Sequence, residues 1–457
     1  MFGRRAFALY WEMGLGKTKE VIDEFSALRL KDKCDCVIVI SDKGSYINTW
    51  ACKELPAHIP EGIKYEVIAW TGSITQKFLN AVEVAINRRE QVLPIFLFNT
   101  ESFSGKTTID IALGIINRVS DCYVALDEAT SIKNPQAQRT KHLIRVGSHP
   151  VVRYTRIMTG TPITQSPLDV YSQYAFMGKG LLGYKDYWTF RARYAVIVTE
   201  YAGIRSYQKI VGFQNQEELT ARMEEHCSRL TKKECLDLPE KIYMTQYVEM
   251  TPQQIKAYDE VKKELITELE AGTVTAPLAI VGMTKLRQIC TGSVIDDEGN
   301  TLHIPSNRID VLLRLLEETS GKAIIWCEYQ ADVEAIMDSL PEGSAVSYYG
   351  ETSDEDRASA LHSFVYIPSV RWFVGTPSTG GKSLTLTVAT TVIYFSFGFN
   401  LEHYLQSQDR AHRIGQTSAV TYVHLVCKDR VDEKVLERLN AKECISRSIL
   451  DNLKRII

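Results

Sequence analysis

Apolar positions fall into two patterns along the chain. Phe7–Trp11, Tyr123–Leu126, Ala323–Cys327 and Thr391–Phe395 are short apolar runs that read as buried strands, and the more mixed Arg153–Ile157 reads as another. Other stretches carry apolar residues at helical spacing. Val21, Ile22, Phe25, Leu28 and Leu30 mark an amphipathic helix over 17–30, and Ile309–Leu316 repeats with the same period. A further helix is expected to carry Gln406, Arg410 and Arg413, which at i, i+4 and i+7 share one face. The charged, proline-containing passage Lys232–Lys241 is the best linker candidate.

Between the first strand and the first helix stands Met13-Gly14-Leu15-Gly16-Lys17-Thr18. Glycines at such a junction let backbone N–H groups converge on phosphate at a helix N-terminus. Lys17 would then reach the β- and γ-phosphates and Thr18 a Mg²⁺ ion. Position 11 holds Trp where the longer phosphate-loop pattern has Gly, so the match is to the short Gly-Leu-Gly-Lys-Thr form. Gly105-Lys106-Thr107 and Gly381-Lys382-Ser383 spell the same tripeptide without the preceding glycine, and both read as loops. Arg410 and Arg413 lie at the other end of the chain, so one nucleotide touches both strings only if two lobes close on it. That pattern predicts a two-lobed, nucleotide-driven motor.

Composition narrows the class without changing that picture. The 457 residues allow about two to four domains. A hydrophobic content of 45% and a charged content of 24% are ordinary for a globular chain. The net charge of −3 supplies no global basic field, so nucleic-acid contact must rest on local patches and backbone amides. The ten cysteines form no Cys-x-x-Cys pair and fit a reduced, intracellular setting. The nine histidines show no metal-ligand spacing. No apolar run reaches membrane-spanning length, and the basic start at Met1–Arg5 precedes an apolar stretch too short for a signal peptide. No membrane is expected among the partners.

Two further strings complete the site. Tyr123–Leu126 ends in Asp127-Glu128, and acids at the end of a central strand lie near the phosphate loop of a doubly wound sheet. Asp127 would hold Mg²⁺, and Glu128 would orient and deprotonate the attacking water. Thr159-Gly160-Thr161-Pro162 follows Arg153–Ile157 and suits a loop that senses the nucleotide.

Taken together, these strings resemble the Swi/Snf-type branch of superfamily-two helicase-like ATPases, over residues 7–440. Glu12–Thr18 is similar to the family's motif I, Asp127–Thr130 to motif II, and Thr159–Gln165 to motif III. Val37–Ser41 with Trp50, Glu54 and Leu55 is similar to motif Ia. Arg229–Pro239 with Lys241 and Glu249–Pro252 resembles the passage into the second lobe, and Leu286–Cys290 another family string. The most specific match is Asp409–Gln416. The resemblance implies an α/β fold of two RecA-like, doubly wound parallel-sheet lobes with small helical protrusions. Lobe one would span 1–235, its helical protrusion about 165–230. Lobe two would span 236–457, with a helical segment at about 250–300 and motifs V and VI at 376–416.

ATP with Mg²⁺ is the implied cofactor pair, with Met13–Thr18 as the nucleotide cradle, Thr18 and Asp127 on the metal, and Lys17, Asp127, Glu128, Gln406, Arg410 and Arg413 in the chemistry. Lys43, Ser45, Thr164, Gln165, Thr352 and Ser353 are the implied DNA contacts. The chain departs from the family at Thr130, where His is usual, at Gly381–Thr385 and at Ser396–Asn400. The aromatics of Leu168–Tyr194 read as core rather than as a strand-separating wedge.

The expectation is therefore an ATP-dependent motor on double-stranded DNA, acting on DNA or on other DNA-bound proteins. Its compact form resembles bacterial or viral members, which implies a cytoplasmic rather than nuclear setting. Two rivals are a strand-separating DNA or RNA helicase and a nucleotide-gated clamp with little turnover.

Overall fold

The computed structural model describes residues 2–452 apart from 44, 203–204, 271–275, 297 and 381–383. The described chain divides into two compact units, one of 1–199, 208–236 and 444–457, the other of 200–207 and 237–443.

The first unit is built on β1 (Ala6–Trp11), β2 (Cys36–Ser41), β3 (Tyr65–Ala69), β4 (Leu93–Asn99), β5 (Cys122–Asp127) and β6 (Val152–Met158). After these come two strands of a separate ribbon, β7 (Ala195–Ala202) and β8 (Arg205–Phe213), and then β9 (Cys227–Leu230). The main sheet has the order β3-β4-β2-β5-β6-β1-β9, with every pair parallel. Its central strands are apolar on both faces because both faces are covered. In β1, Ala6, Ala8 and Tyr10 enter one core and Phe7 and Leu9 the other. In β2, Ile38 and Ile40 face one way and Val37 and Val39 the other. Helix Lys17–Arg29 packs Val21, Ile22, Phe25 and Leu28 into the second of these cores. Leu30, expected on that face, instead follows the helix end and is exposed.

The second unit contains β10 (Lys241–Val248), a small antiparallel hairpin of β11 (Ser293–Ile295) and β12 (Thr301–His303), and β13 (Lys322–Trp326), β14 (Ala345–Tyr348), β15 (Trp372–Gly375), β16 (Ala389–Tyr394) and β17 (Val420–Cys427). Its parallel sheet runs β10-β17-β16-β13-β15-β14. Helices Pro252–Glu270 and Ala276–Thr291 occupy the segment expected to be helical, and Arg308–Glu318 covers the expected Ile309–Leu316.

Three expectations need correction. The span 165–230 is not wholly helical: helices Val170–Met177, Tyr187–Tyr194 and Gln216–Glu224 share it with β7, β8 and β9. The β-branched run Val196–Thr199 explains the switch. Gly105-Lys106-Thr107 is not a loop, since Lys106 opens helix Lys106–Ile116. It is no phosphate loop either. Gly105 is extended (φ −89°), the preceding turn Thr100–Ser104 is capped by the Asn99 side chain, and Thr108 accepts the Trp70 indole N–H at 3.0 Å. Gly381-Lys382-Ser383 lies outside the described residues. Finally, helix Leu401–Gln408 stops before Arg410, so Gln406, Arg410 and Arg413 do not share a helix face.

Candidate nucleotide site

The candidate phosphate loop leaves β1 at Trp11 and re-enters regular structure at Lys17. Gly14 and Gly16 take φ values of 82° and 81°, in the left-handed region. An added Cβ would touch nothing at either position, so the backbone conformation, not crowding, calls for glycine there. Gly16 is the N-cap of helix Lys17–Arg29, whose first N–H groups face the loop. Lys17 folds its amine back over the loop, donating to the carbonyl oxygens of Trp11 at 3.0 Å and Glu12 at 3.4 Å. Met13, Gly14, Leu15 and Thr18 are half-buried, and Gly16 is exposed at the rim.

Glu12 anchors this loop, a role the sequence did not suggest. Its carboxylate accepts Arg229 Nη2 at 3.2 Å and the Lys232 backbone N–H at 2.9 Å. Buried Arg229 also donates to the Tyr10 carbonyl at 2.7 Å and the Gly160 carbonyl at 3.2 Å, while Trp11 Nε1 donates to Ser228 Oγ at 2.8 Å. One guanidinium therefore ties β1, the loop after β6 and the end of β9 together. A buried arginine in a strand next to the phosphate-loop strand was the available signal. The string carrying it, Arg229–Pro239, resembles the passage into the second lobe and so points away from the loop after β1.

Parallel register brings the acids to the same sheet edge. Leu9 of β1 and Asp127 of β5 both pair with Met158 of β6. Asp127 Oδ2 accepts the Trp50 indole N–H at 3.0 Å and the Ser41 hydroxyl at 3.3 Å, and Oδ1 accepts the Glu128 backbone N–H at 3.0 Å. Burial raises the Asp127 pKa; the Trp50 bond and the Lys17 charge pull it down, and Asp42 pushes it up. Glu128 is held in the left-handed region (φ 48°, ψ 61°), a costly conformation for a residue with a Cβ. Its carboxylate accepts the Thr159 hydroxyl at 3.4 Å, which in turn accepts the Thr161 N–H at 3.2 Å. Gly160 packs against the phosphate loop so closely that a Cβ there would lie 3.3 Å from Met13 N. The motif III loop thus stands between the acids and the phosphate loop. Thr18 and Asp127 offer hard oxygen ligands of the kind Mg²⁺ takes, and the left-handed glycines with the helix N-terminus suit phosphate.

In the second unit, Arg410 is buried. Its Nε donates to the Gln406 carbonyl at 2.9 Å and its Nη1 to the Leu384 carbonyl at 3.1 Å. Arg413 Nη1 reaches the same Leu384 oxygen at 3.1 Å and Thr385 Oγ1 at 3.0 Å. The two guanidiniums thus converge on one carbonyl from a turn that Gln416 knits, through its amide, to the carbonyls of Thr387, Ala389 and Ala411. Gln406 is buried in the last turn of its helix. Among the described residues one cluster, Cys290, Cys427 and Asp432, has metal-ligand spacing. Arg308 already supplies its cation, contacting both Cys427 and Asp432.

Two of the DNA candidates are not at the surface. Thr164 is buried, its hydroxyl donating to Asp169 at 3.2 Å and accepting Lys133 Nζ at 3.1 Å. Ser45 is buried at the start of the π-helix Tyr46–Glu54. Lys43, Gln165 and Ser353 are exposed and Thr352 is half-buried. Thr352 and Ser353 also hold local structure, accepting the N–H groups of Tyr349 and Asp356.

Comparison with known proteins gives the family. The SNF2-related domain matches residues 6–294, and the helicase conserved C-terminal domain matches 307–415. The chain is 25% identical to an uncharacterized ATP-dependent helicase of Mycoplasma pneumoniae, over 97% of this chain and 40% of that protein. It is 24% identical to the DNA annealing helicase and endonuclease ZRANB3 of Bos taurus, over 97% and 39%. It is 23% identical to the TATA-binding protein-associated factor MOT1 of Saccharomyces cerevisiae, over 76% and 21%. The chain thus spans less than half the length of these relatives. The solved SWI2/SNF2 ATPase core of Sulfolobus solfataricus in complex with dsDNA is 24% identical, covers 99% of this chain and 91% of that one, and superposes with a TM-score of 0.42. With the SNF2-related domain matched over more than half of its length, the chain belongs to the SNF2-related family.

Proposed function

We propose that this chain is a nucleic-acid-dependent ATPase that moves along double-stranded DNA and so remodels DNA or displaces proteins bound to it. One observation carries the reading: phosphate loop, acid pair and motif III loop meet at one edge of the first sheet, where the Thr159 hydroxyl bonds Glu128 and Gly160 packs against Met13. In this mechanism the N–H groups of the Gly14–Thr18 turn hold the β- and γ-phosphates. Lys17 leaves the Trp11 and Glu12 carbonyls to reach them. Asp127 and Thr18 would hold Mg²⁺, which when bound neutralises phosphate charge. Glu128 takes the proton of the attacking water, and its bond to Thr159 tells the motif III loop which state it is in. Arg410 and Arg413 exchange their shared Leu384 carbonyl for the γ-phosphate when the second unit closes on the nucleotide. Gln406 backs them from the end of its helix.

Duplex DNA is the track we favour. The exposed candidates Lys43, Gln165 and Ser353 are short polar or basic groups suited to phosphate, which positions a protein without reading bases. The aromatics Tyr171, Tyr184, Phe190 and Tyr194 pack on one another as core, which leaves them no part as a strand-splitting wedge; Trp188 departs from the expected core placement, being 59% exposed with its ring against Tyr187 and Arg191. A cytoplasmic setting is the natural one for ten free cysteines, and no helix among the described residues is long and apolar enough to cross a membrane. The test is ATP hydrolysis measured side by side with no nucleic acid, duplex DNA, single-stranded DNA and RNA. Duplex DNA should give the largest stimulation; a larger response to single strands or RNA would favour the helicase reading.

A further inference from the structure

The π-helix Tyr46–Glu54 has two faces with different chemistry. Inward, Trp50 is fully buried and its indole N–H meets Asp127 Oδ2 at 3.0 Å. Ser41, at the end of the strand leading into this segment, meets the same oxygen at 3.3 Å. Outward, Asn48, Cys52 and Lys53 are exposed, as is Lys43 just before the helix. The wide winding is visible in the bond from Trp50 N to the Ser45 carbonyl at 3.0 Å. π-Helices are rare, less favourable than α-helices and concentrated at functional sites.

We infer that this segment couples DNA to hydrolysis: duplex phosphates on its outer face shift the π-helix, and the Trp50 indole carries that shift to the Asp127 carboxylate. The inference rests on the duplex-DNA reading above and names how that site is regulated. Both side-chain donors to Oδ2 come from 41–50, so a shift of this stretch moves the groups that orient that oxygen. Its partner oxygen accepts the Glu128 N–H, so the carboxylate also steadies the strained backbone of the proposed base. The indole N–H can only donate, which fixes the polarity of the bond. Displacements near 1 Å at such a group cost on the order of 10²-fold in rate, so a small shift is enough. Trp50 is in this sense a positioning residue.

The test uses the full chain labelled with ¹⁵N. It has six tryptophans, and the indole N–H signal missing from Trp50→Phe identifies Trp50. A blunt duplex without nucleotide should move or broaden that signal. Trp50→Phe should bind the duplex as the parent does, yet lose about tenfold or more of its duplex stimulation and need severalfold more Mg²⁺ for half-maximal rate. Ser41→Ala, a gentler change at the same oxygen, should lower stimulation in the same direction and decides the matter if Trp50→Phe does not fold. A Trp50 signal unmoved by bound duplex, or parental stimulation in the variants, overturns the coupling and leaves the proposed function standing. A parent that binds no duplex overturns both.

Discussion

Arg229 and Glu12 form a partly buried ion pair, Nη2 to Oε1 at 3.2 Å, that joins the last strand of the first sheet to the root of the phosphate loop. The same guanidinium holds the carbonyls of Tyr10 and Gly160, so the loop after β1 and the loop after β6 are braced by one side chain. Glu12 is about one-third exposed, which limits the electrostatic worth of the pair; its value lies in geometry.

Arg229→Met should therefore raise KM for ATP and lower kcat/KM by about tenfold or more, roughly 1.4 kcal/mol of lost transition-state stabilisation. Glu12→Gln should do less, because its one amide oxygen keeps one of the two bonds, to Arg229 or to the Lys232 N–H, and only the other is lost. A double-mutant cycle on kcat/KM checks the brace, with an expected coupling of about 0.5–3 kcal/mol. Additive effects would mean that the two residues act separately.

Glu128→Gln should keep nucleotide binding and lose about 10²-fold or more in turnover, since an amide cannot take the water's proton. Isothermal titration for binding and a steady-state assay for turnover separate the two. Near-parental hydrolysis would remove Glu128 from the role of base.

Arg410→Ala and Arg413→Ala should each lose most duplex-stimulated turnover, by up to about 10³-fold where a finger arginine acts alone, with little change in nucleotide affinity. Arg410 is buried against the Leu384 and Gln406 carbonyls, so its variant should also lower the melting temperature of the second unit. Arg413 is half-buried, so its variant should leave melting nearly unchanged. Scanning calorimetry beside the rate measurement distinguishes folding loss from loss of chemistry.

The strands around the site were legible because a strand buried on both faces must be apolar throughout, as in Phe7–Trp11 and Tyr123–Leu126. The glycine turn leading into helix Lys17–Arg29 was legible because Gly14 and Gly16 supply a backbone conformation other residues resist. The arginine face failed for a physical reason. Spacing at i, i+4 and i+7 holds only while the helix lasts, and Gln416 bonds to three carbonyls, together with Gly415 at φ 99°, organise a turn instead. Ser45 and Thr164 look like surface hydroxyls until tertiary packing covers them. The Arg229 brace and the Trp50–Asp127 bond join residues far apart in the chain, which no local pattern reports.

Movement along an intact duplex is the central claim, and displacement of a triplex-forming third strand tests it most directly. With ATP and Mg²⁺, the chain should release a labelled third strand from a duplex that offers a free arm, while leaving a plain fork paired. The release should weaken steeply as salt rises, because phosphate contacts are lost with counterion competition. Efficient unwinding of the fork with no release of the third strand would contradict the account.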